Sequence, residues 1–305
     1  MTEGDRGFAV GERVMLLDSK RRRYLVELVA DGEFHSHAGY VAHSSIIGSA
    51  EGTVVESTKG AEYVVLRPTL EDFVLEMPRG AQVIYPKDLA PILMLADIAP
   101  GVRVFESGLG SGALSTAMLR AGAEVTGYEV REDFANRARI NVRSFLGEGA
   151  LERYHVSVAD SYAGIDESLG PFDRVVLDLP EPWQVVPHAE RVLRPGGILL
   201  AYTPSITQAS QTRESLRGRG GQTTLDLEEA LLEDAHPGRV RSRCGGGSRC
   251  GHVRLRIRFR LHRTPPIPTL HRAAERVPRS ILRPRHRPVR MIGPSIGPPQ
   301  GAPTT

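Results

Sequence analysis

Cysteine, lysine and tryptophan are scarce in this 305-residue chain, and each scarcity excludes something. Only Cys244 and Cys250 are present, so the chain is no disulfide scaffold, and one C-x5-C pair is no zinc site. No metal centre is therefore expected. No apolar run reaches the roughly 18 residues that a membrane-spanning helix needs. The opening MTEGDRGFAVGERV lacks the basic–apolar–small pattern of a secretion signal, so a cytoplasmic protein is expected. Lysine occurs only at Lys20, Lys59 and Lys87, so the basic charge is almost all arginine. The sole tryptophan is Trp183.

The net charge of +3 hides a split. Residues 238–305 hold sixteen arginines, one acid (Glu275) and ten of the 22 prolines, a net of +15. The remainder holds 23 basic and 35 acidic residues, a net of −12. An acidic body and a basic, proline-rich tail are separate materials.

Residues 1–80 read as a small all-β module. Arg13–Leu17 and Tyr24–Val29 flank a polar turn, and Thr53–Glu56 and Glu62–Arg67 flank the hairpin turn Ser57-Thr58-Lys59-Gly60. Within the first turn, Lys20-Arg21-Arg22-Arg23 reads as a solvated loop or as a contact to a phosphate backbone. His35, His37 and His43 have no cysteine or carboxylate at metal-site spacing, and a structural or surface role is expected for them.

From Asp88 the pattern becomes alternating helices and strands. The expected strands are Val102–Glu106, Glu124–Glu129, Tyr154–Val158, Phe172–Leu177 and Ile198–Tyr202. Helices are expected over Asp88–Ile98, from Gly112 through Arg120, over Asp133–Leu146 and around Trp183–Leu193, the last ending at Pro195-Gly196-Gly197. That alternation implies a parallel, doubly wound α/β sheet of Rossmann-like type, with ligands at the strand C-termini.

Four features lie at those C-termini. A glycine loop, Glu106-Ser107-Gly108-Leu109-Gly110-Ser111-Gly112, allows close backbone approach to a ligand. It reads G-x-G-x-G, not the G-x-G-x-x-G of dinucleotide binders. Glu129 ends the second strand, where a carboxylate can accept both ribose hydroxyls. Asp160 follows the third strand, and Asp178-Leu179-Pro180-Glu181-Pro182-Trp183 the fourth.

The loop and the two strand-end acids, in that order, resemble the S-adenosylmethionine-dependent methyltransferases. Pro78-Arg79-Gly80, Tyr85-Pro86-Lys87-Asp88, Leu177 to Trp183 and Ala201-Tyr202-Thr203-Pro204-Ser205-Ile206-Thr207-Gln208 sharpen the likeness. Together they resemble the bacterial tRNA (adenine-58-N1)-methyltransferase family, most of all its actinobacterial members, over about Phe8 to Leu216. The resemblance implies a methyltransferase domain over residues 81–216, S-adenosylmethionine as cofactor, tRNA as substrate and a homotetramer. It puts Glu106, Gly108, Gly110, Ser111, Gly112, Ala113 and Leu114 on the methionine side, Glu129 on the ribose, and Asp160 and Phe134 near the cofactor's adenine. Asp178 would hold the target base through its amine and touch the cofactor site. Tyr85 and Tyr202 would surround that base, Trp183 would pack under the Asp178 loop, and nothing is attached to Ser107 and Leu109, which are variable positions. An acidic body fits tRNA through a cleft that gathers basic groups from several subunits.

After Leu216 the resemblance stops and the family's last two strands are missing. Residues 217–305 read as a basic disordered arm, as a divergent folded end, or as the product of a translation-frame change, the reading the composition favours. Val253, Leu255, Ile257, Phe259 and Leu261 do alternate with arginines as a strand would. Loss of two strands would leave a sheet edge open and the chain unstable or inactive.

Overall fold

The computed structural model describes residues 6–80, 82–217 and 255–260. Four strands, β1 (Arg13–Asp18), β2 (Arg23–Glu27), β5 (Val54–Glu56) and β6 (Glu62–Leu66), form an antiparallel sheet in the order β2-β1-β6-β5. Between them β3 (Glu33–Ser36) and β4 (Gly39–Ala42) make a separate hairpin that the sequence reading did not resolve. Phe8, Val14, Leu16, Leu28, Ile46, Tyr63 and Val65 fill the core of this region. The turn after β1 is built by Asp18. One carboxylate oxygen accepts the amides of Lys20 and Arg22, and the other accepts Arg22 Nε at 2.6 Å. Arg22 is thus held by its own turn and also lies 3.2 Å from His37 Nε2, and Arg23 reaches Asp72 at 2.7 Å. His43 is buried and its Nδ1 accepts the Val29 amide, the structural role expected of it.

Helix α1 (Leu70–Glu76) was not expected. Thr69 and Asp72 cap it reciprocally, each side chain accepting the other's amide. Its Phe73 and Val74, with Met77 beyond it, pack into the core of the following sheet, although they precede residue 80.

The large sheet comprises β7 (Arg103–Ser107), β8 (Glu124–Glu129), β9 (Tyr154–Val158), β10 (Phe172–Leu177), β11 (Leu193–Thr203) and β12 (Leu255–Arg260). Its order is β12-β11-β10-β7-β8-β9, parallel except for β12. The connecting helices are α2 (Pro86–Leu95), α3 (Ala113–Arg120), α4 (Glu132–Leu146), α5 (Val186–Val192) and α6 (Ile206–Arg217). Strand residues alternate between two apolar layers. Val104, Val176 and Leu200 join α2, α3 and α4, whereas Phe105, Val175 and Leu199 join α5 and Ala209 of α6. Burial on both faces explains why these strands read as continuous apolar runs. The Rossmann-like α/β fold preceded by a small β region is thus as expected.

Two local expectations are corrected. The helix expected around Trp183–Leu193 is a 3-10 turn over Pro182–Gln184 followed by α5, and Leu193 already begins β11. Pro195-Gly196-Gly197 lies inside β11, where Gly196 takes φ +76° and the ladder to β10 slips between Phe172 and Arg174. A left-handed glycine absorbs the slip that a side chain would resist.

Beyond β11 the described residues supply one of the two strands expected to be missing. β12 pairs antiparallel along β11, from Ile198 opposite Arg260 to Thr203 opposite Leu255. The period-2 stretch of the tail therefore supplies the edge strand. The rest of residues 218–305, with Cys244 and Cys250, lies outside the described residues.

Candidate functional site

Strand order reverses between β7 and β10, because β8 and β9 lie on one side of β7 and β10 and β11 on the other. That is the crevice where open α/β sheets bind ligands. The glycine loop leaves β7 there and the Asp178 segment leaves β10. Asp178 donates its amide to the Ser107 carbonyl at 2.9 Å. Gly108 takes φ +87°, and a Cβ on it would overlap the Asp178 carbonyl oxygen. Gly112, at φ +80°, begins α3 with a Cβ direction 2.9 Å from the Ala138 backbone. Gly110 differs: at φ +52° it faces open space. The first and third glycines are demanded by the protein, and the second leaves room for a ligand.

Glu129 fixes the loop from the neighbouring strand. Its carboxylate accepts the Gly110 amide at 3.0 Å and the Arg131 amide at 3.1 Å. Glu106 is fully buried at the end of β7. Ser115 Oγ donates to Glu106 Oε2 at 2.6 Å, and Tyr154 Oη donates to Ser115 Oγ at 2.9 Å. Burial pushes the Glu106 carboxyl up to about 8; the Ser115 hydrogen bond opposes the rise, and the charges of Asp178 and Glu129 add to it. Glu106 Oε1 and Ser111 Oγ are buried without a hydrogen-bond partner among the described residues. Ala113 and Leu114 are buried in the first turn of α3.

The other expected residues are more scattered. Phe134, at the start of α4, is buried under the Arg131 guanidinium, 3.8 Å from its ring centroid, with Gly80 against its edge. Asp160 is exposed and accepts the Tyr162 amide at 2.9 Å. Tyr85 is half-buried before Pro86 at the start of α2. Tyr202 is only 5% exposed, and its hydroxyl donates to the buried Asp88 carboxylate at 3.1 Å. Lys87 Nζ lies 3.3 Å from that carboxylate. Trp183 is half-buried in the 3-10 turn after Asp178. Gln208 Nε2 donates to the Pro180 carbonyl at 2.8 Å, joining the last two of the quoted motifs.

Several residues that shape the site were not singled out by the sequence. Asn141 on α4 is fully buried, and its Nδ2 donates to both the Pro78 and the Ser111 carbonyls at 2.9 Å. Ser107 and Leu109 do have roles. Ser107 Oγ bonds Ser161 Oγ at 2.8 Å, tying the ends of β7 and β9, and Leu109 is buried over Gly127. A helix residue such as Asn141 or Ser115 carries no local motif that would have marked it.

The carboxylates of Glu129 and Asp178 make this crevice anionic around the buried Glu106 carboxyl. A cationic ligand with a sugar and a flexible amino-acid arm matches the open space at Gly110 and the unpaired oxygens of Glu106 and Ser111. S-adenosylmethionine has that chemistry, so the residues present fit it.

The fold and this crevice define an S-adenosylmethionine-dependent methyltransferase. The profile of the family described as tRNA methyltransferase complex GCD14 subunit matches residues 62–233, and a TrmI-like N-terminal profile matches residues 7–55. The chain belongs to this tRNA methyltransferase family. The match passes Leu216, so the likeness extends further than the motifs alone suggested. The tRNA (adenine(58)-N(1))-methyltransferase TrmI of Thermus thermophilus is 37% identical over 247 residues, spanning 80% of this chain and 89% of the relative. Among solved structures, a SAM-dependent O-methyltransferase from Thermotoga maritima superposes with a TM-score of 0.71 at 27% identity, covering 87% of this chain and 98% of its own. The tRNA (m1A58) methyltransferase TrmI from Aquifex aeolicus gives 0.64 at 25% identity, covering 85% and 100%.

The buried Glu106 has a consequence for stability. Its carboxyl keeps a proton to about pH 8 in the folded protein, whereas the unfolded chain releases it near the ordinary glutamate range of about 4.3. Between those limits the folded state binds more protons, so this contribution is greatest at low pH and is lost as pH rises to about 8. Glu106→Gln is expected to flatten that slope. In thermal melts of the ligand-free protein, the variant should gain several degrees over the native chain at pH 8.5 and little at pH 5.

Proposed function

We propose that the protein transfers the methyl group of S-adenosylmethionine to N1 of adenine 58 in tRNA. The observation that carries this is the meeting of the anionic glycine-loop crevice with the Asp178 segment in a chain of this tRNA methyltransferase family.

S-adenosylmethionine supplies a methyl group on a positively charged sulfur. The adenine N1 lone pair forms the new bond to the methyl carbon, and the electron pair of the breaking bond returns to sulfur. N1 carries no proton, so no strong base is needed. The chain has instead to position the base and stabilise the cationic ring that forms. Asp178 takes that role, accepting the exocyclic amine of the target adenine and favouring the cation. Tyr85, half-buried at the head of α2, offers a ring for stacking once the base leaves its partner. Tyr202, buried and bonded to Asp88, steadies the first turn of the helix that follows that tyrosine. Glu129 holds the ribose hydroxyls. Glu106 and Ser111 receive the methionine arm, and Phe134 and Asp160 border the adenine of the cofactor.

Around this site the reading takes residues 1–80 as a β-module, 81–216 as the methyltransferase domain and 217–305 as a basic tail. It places the enzyme in the cytoplasm as a homotetramer, whose inter-subunit cleft gathers the basic charge that the acidic body lacks. Among the described residues no helix is long and apolar enough to cross a membrane. A non-catalytic tRNA-binding role is less well supported, because such a protein has no use for the ligand space at Gly110 or for the strand-end acids Glu129 and Asp178.

The test is nucleoside mass spectrometry of unmodified tRNA after incubation with the protein and S-adenosylmethionine. 1-Methyladenosine is expected in the T-loop at position 58, and it should be absent from a tRNA that carries guanosine at that position. Methylation confined to other positions, or none, would refute the assignment.

A further inference from the structure

Glu106, Ser115 and Tyr154 come from β7, α3 and β9, and all three are buried. Their hydrogen bonds run one way. The single hydroxyl proton of Ser115 is committed to Glu106 Oε2 at 2.6 Å, so its oxygen is left to accept the Tyr154 proton at 2.9 Å. Tyr154 stays a donor, because burial and the nearby Glu106 push its hydroxyl far above the ordinary range. One carboxyl oxygen is therefore pinned, and Oε1 has no partner among the described residues. Leaving a buried polar atom unpaired is costly, because the water it lost is not replaced. A site that tolerates this is prepared for a ligand.

We propose that Ser115 and Tyr154 are positioning residues for the cofactor's ammonium group: they hold Glu106 by one oxygen so that the other receives that cation. The inference rests on the methyltransferase reading above. The charged neighbours agree with it. Asp178 from the segment after β10 and Glu129 from β8 both face Glu106 with negative charge, and Arg139 on α4 acts on Tyr154. Until a cation arrives, two carboxylates and burial keep Glu106 neutral. An ammonium reverses that balance, and one proton leaves for solvent. No other atom changes bonding.

The probes are S-adenosylhomocysteine, which has the ammonium, and methylthioadenosine, which lacks it. Calorimetry in phosphate and in Tris reads proton release from the difference in apparent enthalpy. The native protein is expected to release close to one proton per S-adenosylhomocysteine at pH 7. Its affinity for that probe should fall nearly tenfold for each pH unit below about 8, the slope of a one-proton linkage. Methylthioadenosine should release none and bind with a flat profile. Ser115→Ala is expected to weaken S-adenosylhomocysteine binding at pH 7 by about tenfold or more, the loss of one hydrogen bond to a charged group. It should move the break in the profile to higher pH and leave methylthioadenosine unaffected. Tyr154→Phe should act the same way but less, and Ser115→Thr should restore the native profile.

Proton-neutral binding of S-adenosylhomocysteine by the native protein would overturn the proposal with no variant needed. So would a Ser115→Ala chain that loses both probes equally. If the native protein binds neither probe, the cofactor reading itself fails. If both bind but without the difference, only the relay fails.

Discussion

Asp178→Asn is expected to slow single-turnover tRNA methylation by about a hundred- to a thousandfold, the loss seen when one preorganised group facing transition-state charge is removed. The charge on adenine grows as the new bond forms, so the carboxylate contributes more in the transition state than in the bound complex. An asparagine of the same size keeps the Asp178 amide on the Ser107 carbonyl, and with it the backbone of the crevice. Affinity for S-adenosylhomocysteine should therefore change by less than about tenfold, and the loss should appear in kcat. A variant with nearly native kcat would reduce Asp178 to a backbone cap before the Pro182–Gln184 turn.

Gly108→Ala should have a comparable effect through geometry alone. The backbone at Gly108 has φ +87°, and the added Cβ would overlap the Asp178 carbonyl oxygen, which is backbone and cannot swing aside. Relief requires the loop or the Asp178 segment to move, and either movement dismantles the crevice. The expected result is loss of S-adenosylhomocysteine binding by at least about a hundredfold, consistent with a misplacement of the order of 1 Å at a preorganised site. Gly110→Ala makes a good comparison. It meets no protein atom, so its cost to the fold is limited to the left-handed backbone at φ +52°, about 1–2 kcal/mol, and affinity falls further because a methyl group occupies ligand space. Equal binding by native protein and Gly108→Ala would show that the loop is not the cofactor site.

Those two positions also indicate what a sequence reveals. Gly108 and Glu129 were legible because their chemistry is local: a turn, a strand end and an acid in fixed order. The alternating apolar runs of β7, β10 and β11 were legible for the same reason, since burial on both faces leaves few other patterns. The hairpin Glu33–Ala42 was not, because each strand has only four residues and most of them are exposed or half-buried. Helix α1 was overlooked although Thr69 and Asp72 form a readable cap, because only seven residues follow it. The bond of the Tyr202 hydroxyl to Asp88 is a tertiary fact that no spacing reports. Asn141 stayed hidden because its partners lie far along the chain, and Ser115 because nothing in a helix sequence marks which side chain faces the preceding strand. The tail shows the reverse case. Its alternation of apolar residues and arginine was visible at Leu255–Arg260, and it supplies the edge strand of the sheet.

The side chain of Asn141 binds the carbonyls of Pro78 and Ser111 with one planar amide. Pro78 belongs to the stretch of chain that leads out of the first sheet, and Ser111 to the cofactor loop. A single rigid group thus makes one joint of two segments that the sequence keeps apart. Taking that amide away would remove, in one change, the donor that the carbonyls of both segments share.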